Sequence, residues 1–298
     1  MESLTEELFN TIARQEWLDG LADPLQQGIH GVFGEKGRGV KDMLHGTWLG
    51  HPLHPVLTDI PIGAWTVAAV LDVVETVTGS DAASKGADIA VAVGLAGAVG
   101  AAVTGLTDWS ETYDRPKRIG LTHGLLNIVA TSLYATSLAM RLRGKQRSKA
   151  ITLAHLGYAI SGLAGYLGGH LVFGEQIGVD HTATADSTKP EEYTRVLAES
   201  ELAESTPKRV LAEGVAIVLV KQRGRIHALT DTCPHLGGPL SEGKLVGDAI
   251  QCPWHQSELA LEDGHVVCGP TTFPARSFDV RVRGGQIEVR AATKQANA

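Results

Sequence analysis

Two short clusters near the C-terminus combine the residue types that bind transition metals. Residues 233–235 read Cys-Pro-His and residues 252–255 read Cys-Pro-Trp-His, so each cluster supplies one thiol and one imidazole. Thiolate is a soft ligand for iron or zinc, and imidazole suits both metals. The four side chains, Cys233, His235, Cys252 and His255, can therefore hold one tetrahedral zinc ion or an iron–sulfur centre.

The residues that follow each cluster favour the iron–sulfur alternative. Both clusters run into turn residues, Gly237-Gly238-Pro239 after the first and Gln256-Ser257 after the second. Backbone N–H groups in such turns can point at cluster sulfur atoms and tune the reduction potential. The order Cys-x-His, then Cys-x-x-His, is typical of a [2Fe–2S] cluster in which two histidines replace two cysteines on one iron. We therefore predict this cluster rather than zinc.

The stretch from residue 206 to 290 resembles the Rieske family. The matching residues are Cys-Pro-His-Leu-Gly-Gly-Pro-Leu at 233–240, Cys-Pro-Trp-His at 252–255, and Gly269-Pro270 followed by Pro274. The resemblance implies an all-β domain of antiparallel sheets with a cluster-binding subdomain. It also implies that Cys233 and Cys252 bind the inner iron and that His235 and His255 bind the outer one. Gly237, Gly238 and Pro239 would then shape the loop that covers the cluster.

Departures from the respiratory members of that family indicate the ferredoxin type. Gly238 and Trp254 stand where respiratory Rieske proteins carry two cysteines joined in a disulfide. Ser257 matches a serine that donates to the cluster, but Leu259 replaces an aromatic residue that follows it. Gln256 occupies a position where glycine is usual. Fewer donors to the cluster predict a lower reduction potential.

An apolar region precedes the cluster domain and predicts four membrane helices. The spans are residues 55–77, 89–107, 121–140 and 150–173, and the last three contain no Asp, Glu, Lys or Arg. A bilayer core needs about 20 apolar residues in a helix. Close helix packing is predicted at two sets of glycines: Gly94, Gly97, Gly100, Gly165 and Gly169. The alternative, a soluble helical domain, would show charged outer faces.

The rest of the chain divides around these two parts. Residues 1–44 form an N-terminal amphipathic segment, residues 45–173 the four-helix membrane domain, 174–205 a linker, 206–290 the Rieske domain and 291–298 a tail. An apolar stripe in the first segment would lie on the membrane or on the bundle: Leu4, Leu8, Phe9, Ile12 and Trp17. The formal net charge of −7 argues against a nucleic-acid partner.

Charge does not decide the orientation of the bundle, since six Lys and Arg residues fall on each side. The N-terminus lacks a basic region followed by an apolar core, and no Arg-Arg pair occurs, so no export signal is expected. Three cysteines leave no disulfide framework. We expect an inner or cell membrane protein whose two termini and Rieske domain are cytoplasmic.

Histidines cluster at the predicted ends of the membrane helices. They are His51, His54, His123 and His170. The start His51-Pro-x-His54-Pro, with Asp-Ile-Pro-Ile-Gly at 59–63, resembles an uncharacterised family of four-helix membrane proteins, domain of unknown function 2231. A pair such as His123 and His170 could ligate a haem b. Alternatively, these histidines bond backbone groups at helix ends or carry protons.

Electron transfer is the function that these features favour. A membrane-anchored electron carrier needs only the cluster ligands and an anchor, and it would be an oxidoreductase component rather than a complete enzyme. Its partners would be the lipid bilayer and a donor and acceptor, either proteins or a quinone. A redox-sensing or proton-linked membrane module remains an alternative, and an electron-transfer component of a multi-subunit oxygenase or reductase is another. A Rieske oxygenase would need a mononuclear iron site of two histidines and a carboxylate, and only eight residues follow Arg290.

Overall fold

The described residues divide into a helical unit and a β unit. The computed structural model describes residues 4–34, 37–144, 146–183 and 190–292, with side chains of the first helix described from Glu6 onward. The helical unit comprises Met1–Gly37 and Leu53–Ile177, and the β unit comprises Arg38–Pro52 and Gly178–Ala298. The predicted helical part followed by antiparallel β-sheets is confirmed. The Leu4 side chain, residues 184–189 of the predicted linker and residues 293–298 of the predicted tail lie outside the described residues.

The helices in chain order are α1 (Leu4–Ala13), α2 (Asp19–Phe33), α3 (Arg38–His45), α4 (Leu53–Thr78), α5 (Asp81–Trp109), α6 (Asp114–Leu142) and α7 (Arg147–Phe173). Helices α4 to α7 are each long and apolar enough to cross a membrane. Each is longer than the apolar span that predicted it, because charged and polar residues at the ends also join the helix.

Most of the apolar surface of these four helices is not covered by protein. In each helix, a third or less of the most apolar window is buried. Large aliphatic side chains such as Val70, Ile89, Val99 and Leu163 are more than half exposed. A water-soluble bundle would bury such a surface. The exposed apolar faces therefore fit contact with lipid.

Small residues bring α4 and α5 into close contact. A Cβ atom added at Gly94 would lie 2.2 Å from the Trp65 indole nitrogen, and one at Gly97 would lie 2.5 Å from Ile60. The close packing predicted at these two glycines is confirmed. Trp65 in turn stacks on Tyr134 of α6, with ring centroids 4.0 Å apart. This aromatic pair forms the centre of the helical core.

The same expectation fails in α7. A Cβ at Gly165 or Gly169 would meet nothing within 4 Å. Close approaches in α7 occur instead at Gly157, where a Cβ would lie 3.1 Å from the Tyr134 ring, and at Gly168, where it would lie 3.0 Å from the His123 ring. Glycine spacing alone does not show which face of a helix meets its neighbour, and the position of the Tyr134 ring selects Gly157.

A buried ion-pair network joins all four long helices at one end of the bundle. Two nitrogens of Arg141 (α6) donate to the two carboxylate oxygens of Asp72 (α4) at 2.7 and 2.5 Å, and both side chains are fully buried. Asp88 (α5) accepts from Arg141 at 3.1 Å and from Arg147 (α7) at 2.6 Å. Arg147 also donates to both oxygens of Glu75. Two guanidinium groups thus satisfy three carboxylates.

The predicted N-terminal stripe is divided between two environments. Phe9 is buried against Ile119 and Leu167 of the bundle. Trp17 is 64% exposed and Leu8 46%. Of the two locations that the sequence left open, the bundle is the one that α1 occupies through Phe9. The helix α2 also packs on the bundle, and Gln26 donates to carbonyls at and just after the end of α5.

In the part of the β unit that the structure describes, the strands form three antiparallel sheets. Its strands are β1 (Thr194–Ala198), β2 (Lys208–Ala212), β3 (Val215–Gln222), β4 (Arg225–Thr230), β5 (Lys244–Val246), β6 (Ala249–Gln251), β7 (Glu258–Ala260), β8 (Val266–Cys268), β9 (Phe278–Arg283) and β10 (Gln286–Ala291). The strand orders are β1-β10-β9, β2-β3-β4 and β5-β6-β7-β8. One apolar core lies within the first two sheets. A second apolar core includes Cys233 and Cys252.

Two segments belong to the β unit although the sequence suggested otherwise. Strand β1 lies inside the stretch predicted as a linker. It belongs to the β unit because it pairs with β10, about 90 residues later in the chain. Residues Arg38–Pro52, predicted as the end of the N-terminal segment and the start of the membrane domain, also group with the β unit. Both assignments depend on partners distant in sequence, which local composition does not show.

The ion-pair network gives a direct test of what stabilises the bundle. We expect Arg141→Leu to lower the free energy of unfolding by about 3–5 kcal/mol, because it leaves Asp72 charged and buried without its partner. The double variant Asp72→Leu/Arg141→Leu should recover much of this loss, since it buries no charge at that point. Helical circular dichroism during denaturation in detergent measures both effects. The exposed Arg143→Met is the control, and equal loss in the single and double variants would contradict the explanation.

Candidate metal centre

The two metal-binding clusters lie in loops with the same backbone frame. The first loop, residues 233–238, follows β4 and precedes β5. Within it the Cys233 N–H donates to the Gly238 carbonyl at 2.8 Å, and the Gly237 N–H donates to the Cys233 carbonyl at 3.0 Å. Pro239 lies opposite Thr232 in an isolated antiparallel bridge that closes the base of the loop. The cysteine is thus bonded to residues four and five positions later.

The second loop, residues 252–257, joins β6 to β7 and repeats these bonds. The Cys252 N–H donates to the Ser257 carbonyl at 2.8 Å, and the Gln256 N–H donates to the Cys252 carbonyl at 3.1 Å. The fourth residue after each cysteine has a positive φ, +81° at Gly237 and +62° at Gln256. Glycine fills this position in the first loop and glutamine fills it in the second, so the shared conformation does not come from a shared residue type.

The two loops bring the imidazoles of His235 and His255 together. Their Nδ1 atoms are 3.3 Å apart and their rings are perpendicular, at 88°. Two nitrogen ligands on one tetrahedral metal ion, each bound at about 2.0–2.1 Å, lie about 3.3–3.4 Å apart. Burial lowers the pKa of His235 well below its usual value, and His255 adds to that effect. The neutral imidazole that results is the form that ligates a metal.

The thiols of Cys233 and Cys252 form a second pair. Both side chains are buried and unbridged, and they lie within hydrogen-bonding reach of each other. A hydrogen bond from Cys233 lowers the pKa of Cys252 to about 6 and raises that of Cys233 well above its usual value. Metal binding needs both sulfurs deprotonated and would release the thiol protons that remain.

This division into two pairs fits a two-iron cluster better than one zinc ion. Over residues 4–34, 37–144, 146–183 and 190–292, no three His, Cys, Asp or Glu side chains converge on a common point. A single tetrahedral ion would need four ligands around one centre. A [2Fe–2S] cluster with two histidines needs only two protein ligands on each iron, since bridging sulfides complete both sites.

Close packing of the two loops explains the glycine at position 238, in the first loop. A Cβ atom at Gly238 would lie 2.9 Å from the Cys252 sulfur and 3.0 Å from the Trp254 ring. The first loop therefore approaches the second with no room for a side chain at this position. Trp254 itself is 54% exposed. Gly238 and Trp254 are in contact, and neither position can form the disulfide of the respiratory type.

Ser257 is fully buried beneath the second loop. Its Oγ accepts a hydrogen bond from the Thr271 N–H at 3.1 Å. That bond uses an oxygen lone pair and leaves the hydroxyl hydrogen available for another acceptor. Leu259, which stands near the position of the missing aromatic, is buried in the core beside Cys252. The donors to the cluster that the sequence predicts are thus the Ser257 hydroxyl and the N–H groups of the two loops.

A segment that the sequence did not indicate also contacts this site. Arg38 of α3 donates to the Gln256 carbonyl at 2.8 Å and pairs with Glu258 at 3.0 Å. Asp42 accepts hydrogen bonds from the Cys268 thiol and the Gly269 N–H, each at 3.1 Å. Burial and the Asp42 carboxylate raise the pKa of Cys268 to about 12, so this thiol stays protonated. No motif marks Arg38 or Asp42, since their partners lie more than 200 residues away.

Each histidine of the predicted membrane cluster contacts a polar group of the protein. His54 contacts the Ala101 carbonyl at 2.8 Å, and His51 contacts the Pro52 carbonyl at 3.4 Å. His123 contacts the Ala164 carbonyl through Nδ1 and the Asn127 amide through Nε2. A haem iron would have to displace one of these two contacts.

His170 has a different environment from the other three. Its Nε2 lies 3.2 Å from the Glu175 carboxylate, and its ring stacks on Phe9 at 3.4 Å. These contacts resemble those of histidines that bond groups at a helix end, the second interpretation of the sequence. The haem hypothesis gains no support from them.

Known proteins match both units of this chain. The family described as Rieske [2Fe-2S] domain matches residues 192–279. Ferredoxin CarAc of Metapseudomonas resinovorans is 35% identical over 103 residues, which are 34% of this chain and 96% of that protein. The chain belongs to the Rieske family. Its cofactor is a [2Fe–2S] cluster, as predicted, and the zinc alternative is set aside.

Other known proteins are similar to parts of this chain. The ferredoxin subunit of 3-phenylpropionate/cinnamic acid dioxygenase from Escherichia coli (strain K12) is 38% identical over 72 residues, 24% of this chain and 68% of that protein. The solved ferredoxin of carbazole 1,9a-dioxygenase from Nocardioides aromaticivorans IC177 covers 34% of this chain and 100% of that chain, at 24% identity and a TM-score of 0.33. Residues 50–181 match a separate family, described as predicted membrane protein (DUF2231).

The contact at Gly238 predicts a strong effect of a single methyl group. We expect Gly238→Ala to weaken cluster retention about tenfold or more, because its Cβ would push the Cys252 sulfur away from its position. Iron content per protein and visible absorbance measure the loss. Gly165→Ala is the control, since that helical glycine has open space at its Cβ position. Full iron content in Gly238→Ala would contradict the close packing of the two loops.

Proposed function

We propose that this chain is a membrane-anchored electron carrier of the Rieske ferredoxin type. In this proposal Cys233 and Cys252 hold one iron, and His235 and His255 hold the other. The pairing of the two Nδ1 atoms at 3.3 Å is the observation that carries the assignment. The bound cluster supplies a site that takes up and releases one electron at a time.

The residues around the ligands have separate tasks in this proposal. Gly237 and Gly238 let the first loop turn and approach the second, and Pro239 fixes its exit. The Ser257 hydroxyl donates to the cluster and favours the reduced form, which carries the greater negative charge. Burial of the two thiols excludes water from the inner side, while the imidazoles of the outer pair face the route by which electrons enter and leave.

The helical unit serves as the anchor. Four helices of sufficient length and exposed apolar surface support insertion into a cell membrane. An even number of crossings returns the chain to the side from which it started. Cys268, the cysteine that is not assigned to the cluster, is a buried free thiol, as is usual for proteins in reducing compartments. We therefore place the cluster and both ends of the chain in the cytoplasm.

The partners that we propose are redox proteins. Two of the related proteins are named as ferredoxin components or subunits of dioxygenase systems. By analogy, this chain would receive electrons from a reductase and deliver them to an oxygenase or another acceptor held near the membrane. A quinone in the bilayer is the alternative acceptor.

Electron transfer by the full-length protein tests the proposal. We expect the dithionite-reduced protein in lipid nanodiscs to transfer one electron per two irons to cytochrome c, a soluble one-electron acceptor. His255→Ala should lose at least nine-tenths of both cluster and transfer, since altering even an outer partner of a metal ligand costs roughly 10–100-fold. His265→Ala is the matched control, because that histidine belongs to the same β unit but is exposed and pairs with Asp263.

Two results would contradict the assignment. One is a His255→Ala variant with the iron content of the wild type. The other is a wild type that holds the cluster but transfers no electron to cytochrome c or to a soluble quinone, which would favour the redox-sensing alternative.

The Ser257 hydroxyl gives a separate prediction for the reduction potential. We expect Ser257→Ala to lower the potential by on the order of 50 mV, since about 59 mV is a tenfold change in a one-electron equilibrium. The cause is the loss of a donor to the more negative, reduced cluster. A redox titration followed by visible absorbance measures the shift. Ser241→Ala, in the turn before β5, should leave the potential unchanged, and an unchanged Ser257→Ala would exclude the donor role.

A further inference from the structure

The second cluster loop contains a backbone conformation that its residue does not favour. Gln256 has φ +62°, in the left-handed region where a Cβ atom is strained. Gly237 occupies the equivalent place in the first loop at φ +81°, and glycine adopts that conformation freely. Gln256 directly follows His255, so a relaxation of its backbone would move that imidazole. The second loop therefore needs support that the first does not.

The segment Arg38–Pro52, here called the strap, supplies contacts at this point. The Arg38 guanidinium donates to the Gln256 carbonyl through Nη2 at 2.8 Å and pairs with the Glu258 carboxylate through Nη1 at 3.0 Å. Glu258 is itself buried and accepts from the Gln251 amide at 2.9 Å. A planar guanidinium that spans two acceptors fixes their relative position. Residues 256 and 258 are thus held on either side of Ser257.

A second group of contacts fixes the strap on the β unit. Asp42 accepts from the Gly269 N–H and from the Cys268 thiol. A Cβ at Gly269 would lie 2.8 Å from the Thr47 methyl and 2.9 Å from an Asp42 oxygen, so the strap approaches as closely as glycine allows. Arg38 lies one helical turn from Asp42 and is positioned by this contact.

We propose that Arg38 is a positioning residue, which holds the Gln256 backbone in its left-handed conformation and thereby sets the orientation of the His255 imidazole. The proposal rests on the ligand role of His255 given under the proposed function. It assigns to the strap a part in building the metal centre. The strap residues precede the first membrane helix in the sequence, far from the two ligand clusters.

Four proteins test this role: wild type, Arg38→Met, Gln256→Gly and the double variant. The readouts are the EPR spectrum of the reduced cluster and the rate of iron loss to a chelator. We expect Arg38→Met to alter the EPR spectrum and to speed iron loss about tenfold, within the range for lost partners of metal ligands. In the double variant the wild-type spectrum should return and the rate should fall to within about twofold of Gln256→Gly, because glycine needs no support at that φ.

Two further variants separate this role from a general effect of charge. Arg283→Met, at the exposed end of β9, should match the wild type. Glu258→Gln keeps the Arg38 bond to the Gln256 carbonyl and should keep the wild-type spectrum.

The proposal is overturned if Arg38→Met has the same effect in the wild-type background and in the Gln256→Gly background, or if Glu258→Gln reproduces Arg38→Met. Wild-type protein that loads no [2Fe–2S] cluster would instead overturn the proposed function, whereas the comparison of the variants bears only on Arg38.

Discussion

Two loops of unlike sequence hold four metal ligands in register, and the rest of the β unit depends on that arrangement. Each loop is closed by the same pair of backbone hydrogen bonds. The cysteine N–H donates to the carbonyl five residues later, and the N–H of the fourth residue donates to the cysteine carbonyl. This frame brings the thiols together as one pair and the imidazoles together as another. The strands on either side supply rigidity, and the core beneath them includes both cysteines.

The helical unit is held together by a different balance of forces. Its outer faces are apolar and uncovered, so burial of apolar surface within the protein contributes less than in a soluble bundle. Close approach at Gly94 and the stack of Trp65 on Tyr134 provide packing. The buried pair of Arg141 and Asp72 adds a polar link. Removal of one partner destabilises the protein far more than replacement of both by apolar residues.

The features that could be predicted from the sequence are those that adjacent residues determine. The spacing of Cys233, His235, Cys252 and His255 indicated the cluster, and uncharged stretches indicated the helices. The features that could not be predicted are contacts between distant residues. Arg38 and Gln256 are 218 positions apart. Asp72 is a charged residue within an apolar span, and its partner Arg141 lies 69 positions later in the chain. Local composition predicts a linker where strand β1 forms, because its partner β10 lies at the other end of the domain.

Mössbauer spectroscopy of the protein reconstituted with isotopically enriched iron tests the central claim most directly. Unequal ligation, two thiolates on one iron and two imidazoles on the other, predicts two distinct quadrupole doublets in the oxidised state. On reduction, the added electron should appear on one iron only, the one with the nitrogen ligands. A single doublet from two equivalent irons, or iron that stays in one mononuclear form, would contradict the arrangement of ligands described for these two loops.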